Sequence, residues 1–268
     1  MPKPVKKKAA ASARKASKPE KAPKRQPRRS VLSDEIYDMI KSMIFDHEIA
    51  PGSRVNIDAL ALQLEVSQTP IREALARLES DGLIAKEPLR GYRATDLLST
   101  QQFDDLFQFR LLVEPWASEA AAKKIDATGI AALKAEIQSA KTALKFKDDY
   151  QFQALSEHDA RFHLLIAHMS GNKTMAEAFE RTHCHLHLFR LYMASKLNRL
   201  DETPQSEFVE DLFAQYYQTG SGQLAIKEHE AIAKALIEKN GKAARAAMYA
   251  HIENSLKRFS PAALAVNP

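Results

Sequence analysis

Along residues 31–49 the apolar side chains Val31, Leu32, Ile36, Met39, Ile40, Met43 and Ile44 recur at steps of three and four, the spacing of one buried stripe on an amphipathic helix. That helix is predicted to stop at Pro51-Gly52, a turn pair. A short stripe predicts a second helix over 57–64, and a third is predicted over 69–81 with Ser67 as its N-cap and Pro70 in its first turn. Gly82 ends the third helix. Leu83-Ile84-Ala85 and Tyr92-Arg93-Ala94-Thr95 then read as two short strands around the turn Pro88-Leu89-Arg90-Gly91. Beyond Ser99 the strand signal vanishes. Residues 100–123, 127–145, 149–170, 173–197, 206–218 and 222–259 are each helical in period, and the last span is expected to break near Asn240-Gly241.

Three helices followed by a hairpin is the order of a winged helix-turn-helix, so the predicted fold class is mainly α: an N-terminal winged helix-turn-helix and a C-terminal all-helical bundle. The division is a tail over 1–29, a winged domain over 30–97 and a helical domain over 98–260, which suits a chain of 268 residues. A content of 45% hydrophobic and 27% charged residues is that of a globular protein, and no apolar run approaches the roughly 20 residues of a membrane span.

Charge changes this picture in one place. Residues 1–29 hold twelve Lys or Arg against the single acid Glu20, a charge of +11 in a chain whose total is +5, which leaves −6 for the remainder. The tail has no aromatic residue and is expected to be disordered. Its longest apolar stretch is broken by Ser12, Arg14 and Lys15, unlike a signal peptide, so a cytoplasmic, nucleoid-associated location is expected. The lone Cys184 excludes an intramolecular disulfide framework and a thiolate zinc cluster, and reads as a small half-buried hydrophobe.

The run Val66-Ser67-Gln68-Thr69-Pro70-Ile71-Arg72-Glu73-Ala74-Leu75-Ala76-Arg77-Leu78-Glu79 resembles the recognition helix of the GntR family of transcriptional regulators. The likeness continues through Ser80-Asp81-Gly82-Leu83-Ile84 into a wing at Arg90-Gly91-Tyr92, and upstream in Pro51-Gly52-Ser53-Arg54-Val55 and Leu60–Leu64. It implies a regulator of the repressor kind, bound as a homodimer to an inverted repeat in double-stranded DNA, and not an enzyme. Helical spacing agrees, because Ile71, Leu75 and Leu78 share one stripe while Ser67, Gln68, Thr69 and Arg72 gather at the end that leads into the major groove. The hydroxyls suit phosphates, Gln68 suits adenine and Arg72 suits guanine or phosphate. Arg90, Gly91 and Arg93 are the expected wing contacts. The chain departs from the family at Glu65, where Gly is usual and the side chain either strains the turn or takes a positive φ, and at Gln68, where Arg is common.

Phe109-Arg110-Leu111-Leu112-Val113-Glu114-Pro115-Trp116-Ala117 is similar to the opening of the ligand-binding domain of the FadR-like branch, the FCD domain. Asp159-Ala160-Arg161-Phe162-His163, Ser170-Gly171-Asn172, Glu228-His229 and Met248-Tyr249-Ala250-His251 look like its later motifs. Asp159 and His163 stand four apart on one helix face, and His229 and His251 flank the Asn240-Gly241 break, so antiparallel helices can bring both rings to one level. In the family's metal-binding members these are the ligand positions. One divalent ion per subunit (Zn, Ni or Mn) on Asp159, His163, His229 and His251 is expected, with a small carboxylate effector completing it. Arg110 is the family's pocket arginine by position; the alternative for it is a surface pair with Glu114. Arg190 is a second pocket candidate. His183 and His187 share a helix face from which His185 points away, so the three cannot serve one metal, and a solvated or interface role is expected.

Two other functions compete. A metal-dependent hydrolase on the helical bundle would use the same ion to activate water, but no further acid or histidine is placed as a general base and it would not need the winged segment. An architectural DNA-binding protein would act through the basic tail, yet such binding is sequence-independent and leaves the recognition helix unexplained. The tail is kept as an accessory to DNA search.

Overall fold

A computed structural model of the chain describes residues 28–146, 148–197 and 222–266. The basic tail up to residue 27 and the predicted helix over 206–218 lie outside the described residues.

The winged part begins with α1 (Arg28–Phe45), whose Ile36, Ile40 and Ile44 are buried, as the apolar spacing predicts. A two-residue strand β1 (Arg54–Val55) leads into α2 (Ile57–Gln63) and α3 (Gln68–Ser80), and β2 (Ile84–Glu87) and β3 (Gly91–Ala94) form the wing. The hairpin is the predicted one, but β1 is additional: it pairs antiparallel with β3, giving a sheet of order β1-β3-β2. Two residues are too short to show an alternation, so the sequence carried no strand signal there.

The α2–α3 turn is closed by Glu65 at φ 53°. Val66 N–H reaches Ala61 O at 3.0 Å and Glu65 N–H reaches Leu62 O at 3.3 Å, the paired bonds of a Schellman ending. An L-residue in this left-handed conformation costs roughly 1–2 kcal/mol. Glu65→Gly is therefore expected to raise the stability of the winged domain by up to about 1 kcal/mol, once the greater backbone freedom of glycine is subtracted. Chemical denaturation of the variant against the parent checks this, with a loss of stability as the contrary result.

The bundle consists of α4 (Thr100–Lys124), α5 (Ala127–Ala143), α6 (Asp148–Met169), α7 (Lys173–Glu180), α8 (Cys184–Leu197), α9 (Gly222–Ile237) and α10 (Gly241–Val266). Ser99 and Gln102 start α4 with a reciprocal capping box. The expected break at Asn240 separates α9 from α10, and α10 runs past 259 through Pro261. The predicted helix 173–197 is instead two, divided at Thr182-His183, where His183 adopts φ 45°. α4 packs along α10 and against α6, α8 packs on both α6 and α10, and α9 lies on α10 and α5. Five helices (α4, α6, α8, α9 and α10) thus converge on one interior. The core continues into the winged domain, where Phe45 meets Phe189 edge to face with ring centroids 4.6 Å apart.

Candidate metal centre and DNA-reading face

Asp159 and His163 lie one turn apart on α6, His229 comes from α9 and His251 from α10. One donor atom from each falls within 4.8 Å of the others. The three imidazoles are buried and Asp159 is partly exposed. His163 Nε2 is 3.1 Å from His251 Nε2, which is 3.2 Å from His229 Nε2, and Asp159 Oδ1 is 3.2 Å from His229 Nε2 and 3.7 Å from His163 Nε2. Donor atoms held at 2.0–2.1 Å around a tetrahedral ion stand about 3.3 Å apart, so the spacing suits a divalent metal.

What turns three Nε2 atoms into one space is a surrounding set of groups on their Nδ1 atoms. Glu114 of α4 takes His163 Nδ1 with Oε2. Glu228 takes His251 Nδ1 at 2.7 Å and is itself held by Asn254 at 2.8 Å and Arg258 at 3.1 Å. His229 Nδ1 is 2.8 Å from His158 Nε2, and His158 Nδ1 is 2.9 Å from Glu136 Oε1. With each Nδ1 serving these partners, the three Nε2 atoms face one another across the centre at 3.1–3.2 Å, a spacing at which two bare lone pairs repel unless a proton or a metal cation lies between them.

The charges agree. Burial holds the imidazoles of His229 and His251 below their ordinary range, so both are neutral at pH 7. His163 is the exception: burial opposes its charge, but Glu114 and Asp159 outweigh burial and lift it to about 9. Glu114, despite burial, is held far below the carboxylate range by Arg110 and His163. Asp159 is lowered as well, against its partial desolvation, by His185, His163 and His229.

Arg110 is fully buried beside this centre, with Nε 2.5 Å from Glu114 Oε1. The i,i+4 pair is therefore real but lies in the core and not on a surface helix. Its Nη2 is 3.4 Å from His185 Nε2, and its Nη1 has no hydrogen-bond partner among the described residues although it is buried. A buried guanidinium N–H without an acceptor is costly and suits an anion.

Two expectations about histidine and arginine need correction. His185 is not solvated: it is buried, with Nε2 3.3 Å from Asp159 Oδ2 and its ring centroid 4.9 Å from that of His163. The break at His183 re-aims α8, a change that residue spacing on one continuous helix could not show. Arg190 is not at the centre. Its Nη2 donates to Thr95 O at 2.6 Å and its Nη1 to Thr95 Oγ1 at 2.7 Å and Asp96 O at 3.3 Å, so it grips the segment between wing and α4. Glu114, Glu136, His158 and Glu228 are participants that sequence reasoning left without a role. The one signal for Glu114 was its position four residues after Arg110.

On the winged domain, Ile71, Ala74, Leu75 and Leu78 bury one side of α3 and leave Ser67, Gln68, Thr69 and Arg72 exposed at its start. Ser67 caps the helix by backbone geometry only, so its hydroxyl is left for another partner. Gln68 donates to Asp58 of α2 and accepts from Arg72 Nη2 at 3.2 Å, which fixes both side chains at the reading end. A concave groove of about 430 Å³ runs between this end and the wing, lined by Arg54, Gln68, Arg72, Arg90 and Gly91 among others. Gly91 has φ +89° and open space where a Cβ would stand, so a phosphate can approach its backbone. Arg93 is committed elsewhere: Nε donates to Gly52 O at 2.5 Å, and its Nη atoms lie 3.6–3.8 Å from Asp96 and Glu87. Of the two wing arginines, Arg90 is therefore the one turned to the groove, and Arg54 joins it from β1.

A winged helix-turn-helix that displays such a groove, joined to a helical domain, defines a DNA-binding transcriptional regulator. Residues 32–93 match the family model "bacterial regulatory proteins, gntR family", and residues 105–254, more than half of the chain, match the FCD domain. The chain belongs to the gntR family, in the group that carries an FCD domain. It is 25% identical to the uncharacterized HTH-type transcriptional regulator YdhC of Bacillus subtilis over 226 residues, 84% of this chain and 89% of the relative. It is also 25% identical to the Uxu operon transcriptional regulator of Escherichia coli, covering 84% of this chain and 85% of that one. The solved structure of E. coli McbR/YncC shares the fold at a TM-score of 0.55 and 20% identity, across 85% of this chain and 96% of that one. Both sequence relatives carry the name of transcriptional regulators. Among the described residues no helix is long and apolar enough to cross a membrane.

Proposed function

We propose that this regulator binds an inverted repeat as a homodimer and that its affinity for DNA responds to a small organic acid held on a divalent metal in the helical domain. Asp159, His163, His229 and His251 hold the ion, Arg110 pairs with the acid, and bound metal supplies a positive centre that a carboxylate can complete. The observation that carries this reading is the convergence of three Nε2 atoms with a carboxylate oxygen of Asp159, each ring turned inward by a partner on its opposite nitrogen. The buried Nη1 of Arg110 without an acceptor supports the anionic effector. Metal analysis of the protein and of His229→Ala and Asp159→Ala tests it: about one ion per chain, lost in both variants, is expected, and an ion that persists in both places the ligands elsewhere.

Two copies are inferred because one recognition helix reads too few base pairs for a genomic address, and a two-fold pair doubles the site. A dimer seated over a promoter blocks transcription, hence the repressor reading. Arg72→Ala is expected to weaken binding to a selected operator by about 1–3 kcal/mol while leaving non-specific binding nearly unchanged. Competition with random duplex measures both, and an unaltered operator affinity would remove Arg72 from base reading.

A further inference from the structure

We propose that α8 couples the metal and effector centre to the winged domain: His185, in its first turn, senses occupation of the centre, and Phe189 and Arg190, one turn on, pass it to α1 and to the segment after the wing. This rests on the metal-centre reading above and adds the route by which that centre acts on DNA binding.

The sensing end is built around one nitrogen with two competing neighbours. His185 Nε2 lies 3.3 Å from Asp159 Oδ2, an acceptor, and 3.4 Å from Arg110 Nη2, a donor. A neutral imidazole satisfies only one of them: protonated at Nε2 it donates to Asp159 and gives Arg110 Nη2 no acceptor, and with Nε2 bare it does the reverse. Burial keeps His185 neutral, so charging does not resolve the conflict. Occupation of the centre does. The same carboxylate presents Oδ1 to His229 and His163, so an ion there fixes the orientation of Oδ2 toward His185. A carboxylate that bridged both Nη atoms of the guanidinium would give Nη1 the acceptor it lacks and take the place of His185 at Nη2. Both events favour one of the two arrangements of His185 over the other, which is what a switch requires.

The far end of the rod is fixed to the DNA-binding half. Arg190 is buried, makes three hydrogen bonds to Thr95 and Asp96, and so loses solvation at the junction. Thr95 Oγ1 in turn donates to Gly82 O at 2.9 Å, directly after the recognition helix. Phe189 packs on Phe45 of α1. His183, just before α8, abuts Gly82 so closely that a Cβ there would lie 2.8 Å from its ring. Between these anchors a cleft of about 300 Å³, lined by Tyr37, Lys41 and Asp81 on one side and by Phe179, His185 and Leu186 on the other, leaves the first turn of α8 unpacked against α1. The first turn of α8 therefore has room to move along this cleft; His183 carries such a movement to Gly82, and residues 189 and 190 carry it to α1 and Thr95, so that it becomes a tilt of the recognition helix.

Operator affinity is measured for full-length protein stripped of metal, loaded with Zn²⁺, and loaded with Zn²⁺ plus malonate as a minimal dicarboxylate. For the parent protein, a change of at least about fivefold is expected between the stripped state and one of the loaded states, the usual scale of a coupling between sites. Arg190→Lys and Phe189→Ala are expected to retain one ion per chain and the stripped-state operator affinity within about twofold, while the change on loading collapses toward unity. His185→Ala is expected to lose the change as well. A parent protein that binds Zn²⁺ but whose operator affinity is the same in all three states overturns the coupling, as does full coupling in Arg190→Lys and Phe189→Ala together. A parent protein that binds no metal overturns the metal-centre reading instead. Thermal unfolding of each variant identifies one that fails to fold. Should Arg190→Lys fail in this way, Phe189→Ala decides.

Discussion

Glu114→Ala is expected to destabilise the metal-free helical domain by about 3–5 kcal/mol, the range seen when one partner of a buried ion pair is removed. Glu114 is 4% exposed and neutralises two groups at once, Arg110 on its own helix and His163 on α6. Arginine cannot shed its proton to escape the low-dielectric interior, so its charge is left uncompensated in the variant. Glu114→Gln keeps the shape and removes the charge, and should fall nearly as far. Removing the whole pair, as in Arg110→Met with Glu114→Leu, should cost less than Glu114→Ala alone, because no unpaired charge remains. Urea denaturation followed by circular dichroism gives these differences. A Glu114→Ala variant within about 1 kcal/mol of the parent would mean that water or rearrangement already screens the pair.

The response of stability to pH follows from the same residues. The folded-state pKa of Glu114 is depressed, so its contribution is present above the ordinary carboxylate range and is lost only in strong acid. His163 is raised from 6.5 to about 9, so in metal-free protein its contribution is complete below pH 6.5 and disappears as pH climbs through about 9. Metal-free protein should therefore lose stability across that interval.

The winged domain was legible because its signals are local. Stripe spacing, the cap at Ser67, the turn at Pro51-Gly52 and the glycines of the wing each act within a few residues, and even the conflict at Glu65 was visible as a non-glycine where the chain must turn left-handed. The four donors at the centre were legible only as positions matching a motif, with spacing to support them. What escaped was everything that depends on how helices meet. No glycine or proline marks the break at Thr182-His183, so a continuous helix was the simplest reading, and on it His185 faces away from the site. Glu114, His158 and Glu228 touch donors 49, 71 and 23 residues away, and no periodicity reports such pairings. Arg190 was a plausible pocket residue by type alone, and only the placement of α8 against Thr95 shows that its guanidinium is spent on the domain junction.

Metal affinity is expected to rise about tenfold for each unit of pH between about 6.5 and 9, and to level off above that range. Binding requires every ligand to be deprotonated. His229 and His251 already meet that condition at neutral pH, because burial has lowered both, and Asp159 meets it throughout. His163 does not: between Glu114 and Asp159 it holds a proton up to about 9, so an arriving ion must displace it. Loss of one proton per ion gives a slope of one in log affinity against pH, and places the midpoint well above the ordinary histidine value of about 6.5. The displaced proton also explains why Glu114 stands where it does: once the ion has replaced the charge on His163, the carboxylate still orients the ring through Nδ1 and still balances Arg110. In Glu114→Gln the midpoint should fall toward 6.5 or below, since the main source of the rise is gone, while the affinity at high pH weakens through loss of the orienting bond by the 10- to 100-fold typical of such outer partners. Calorimetry of Zn²⁺ binding in buffers of differing ionisation enthalpy counts the protons directly. Release of about one proton at pH 7.5 in the parent and close to none in Glu114→Gln is the expected pair of results, whereas equal release in both would assign the proton to a group other than His163.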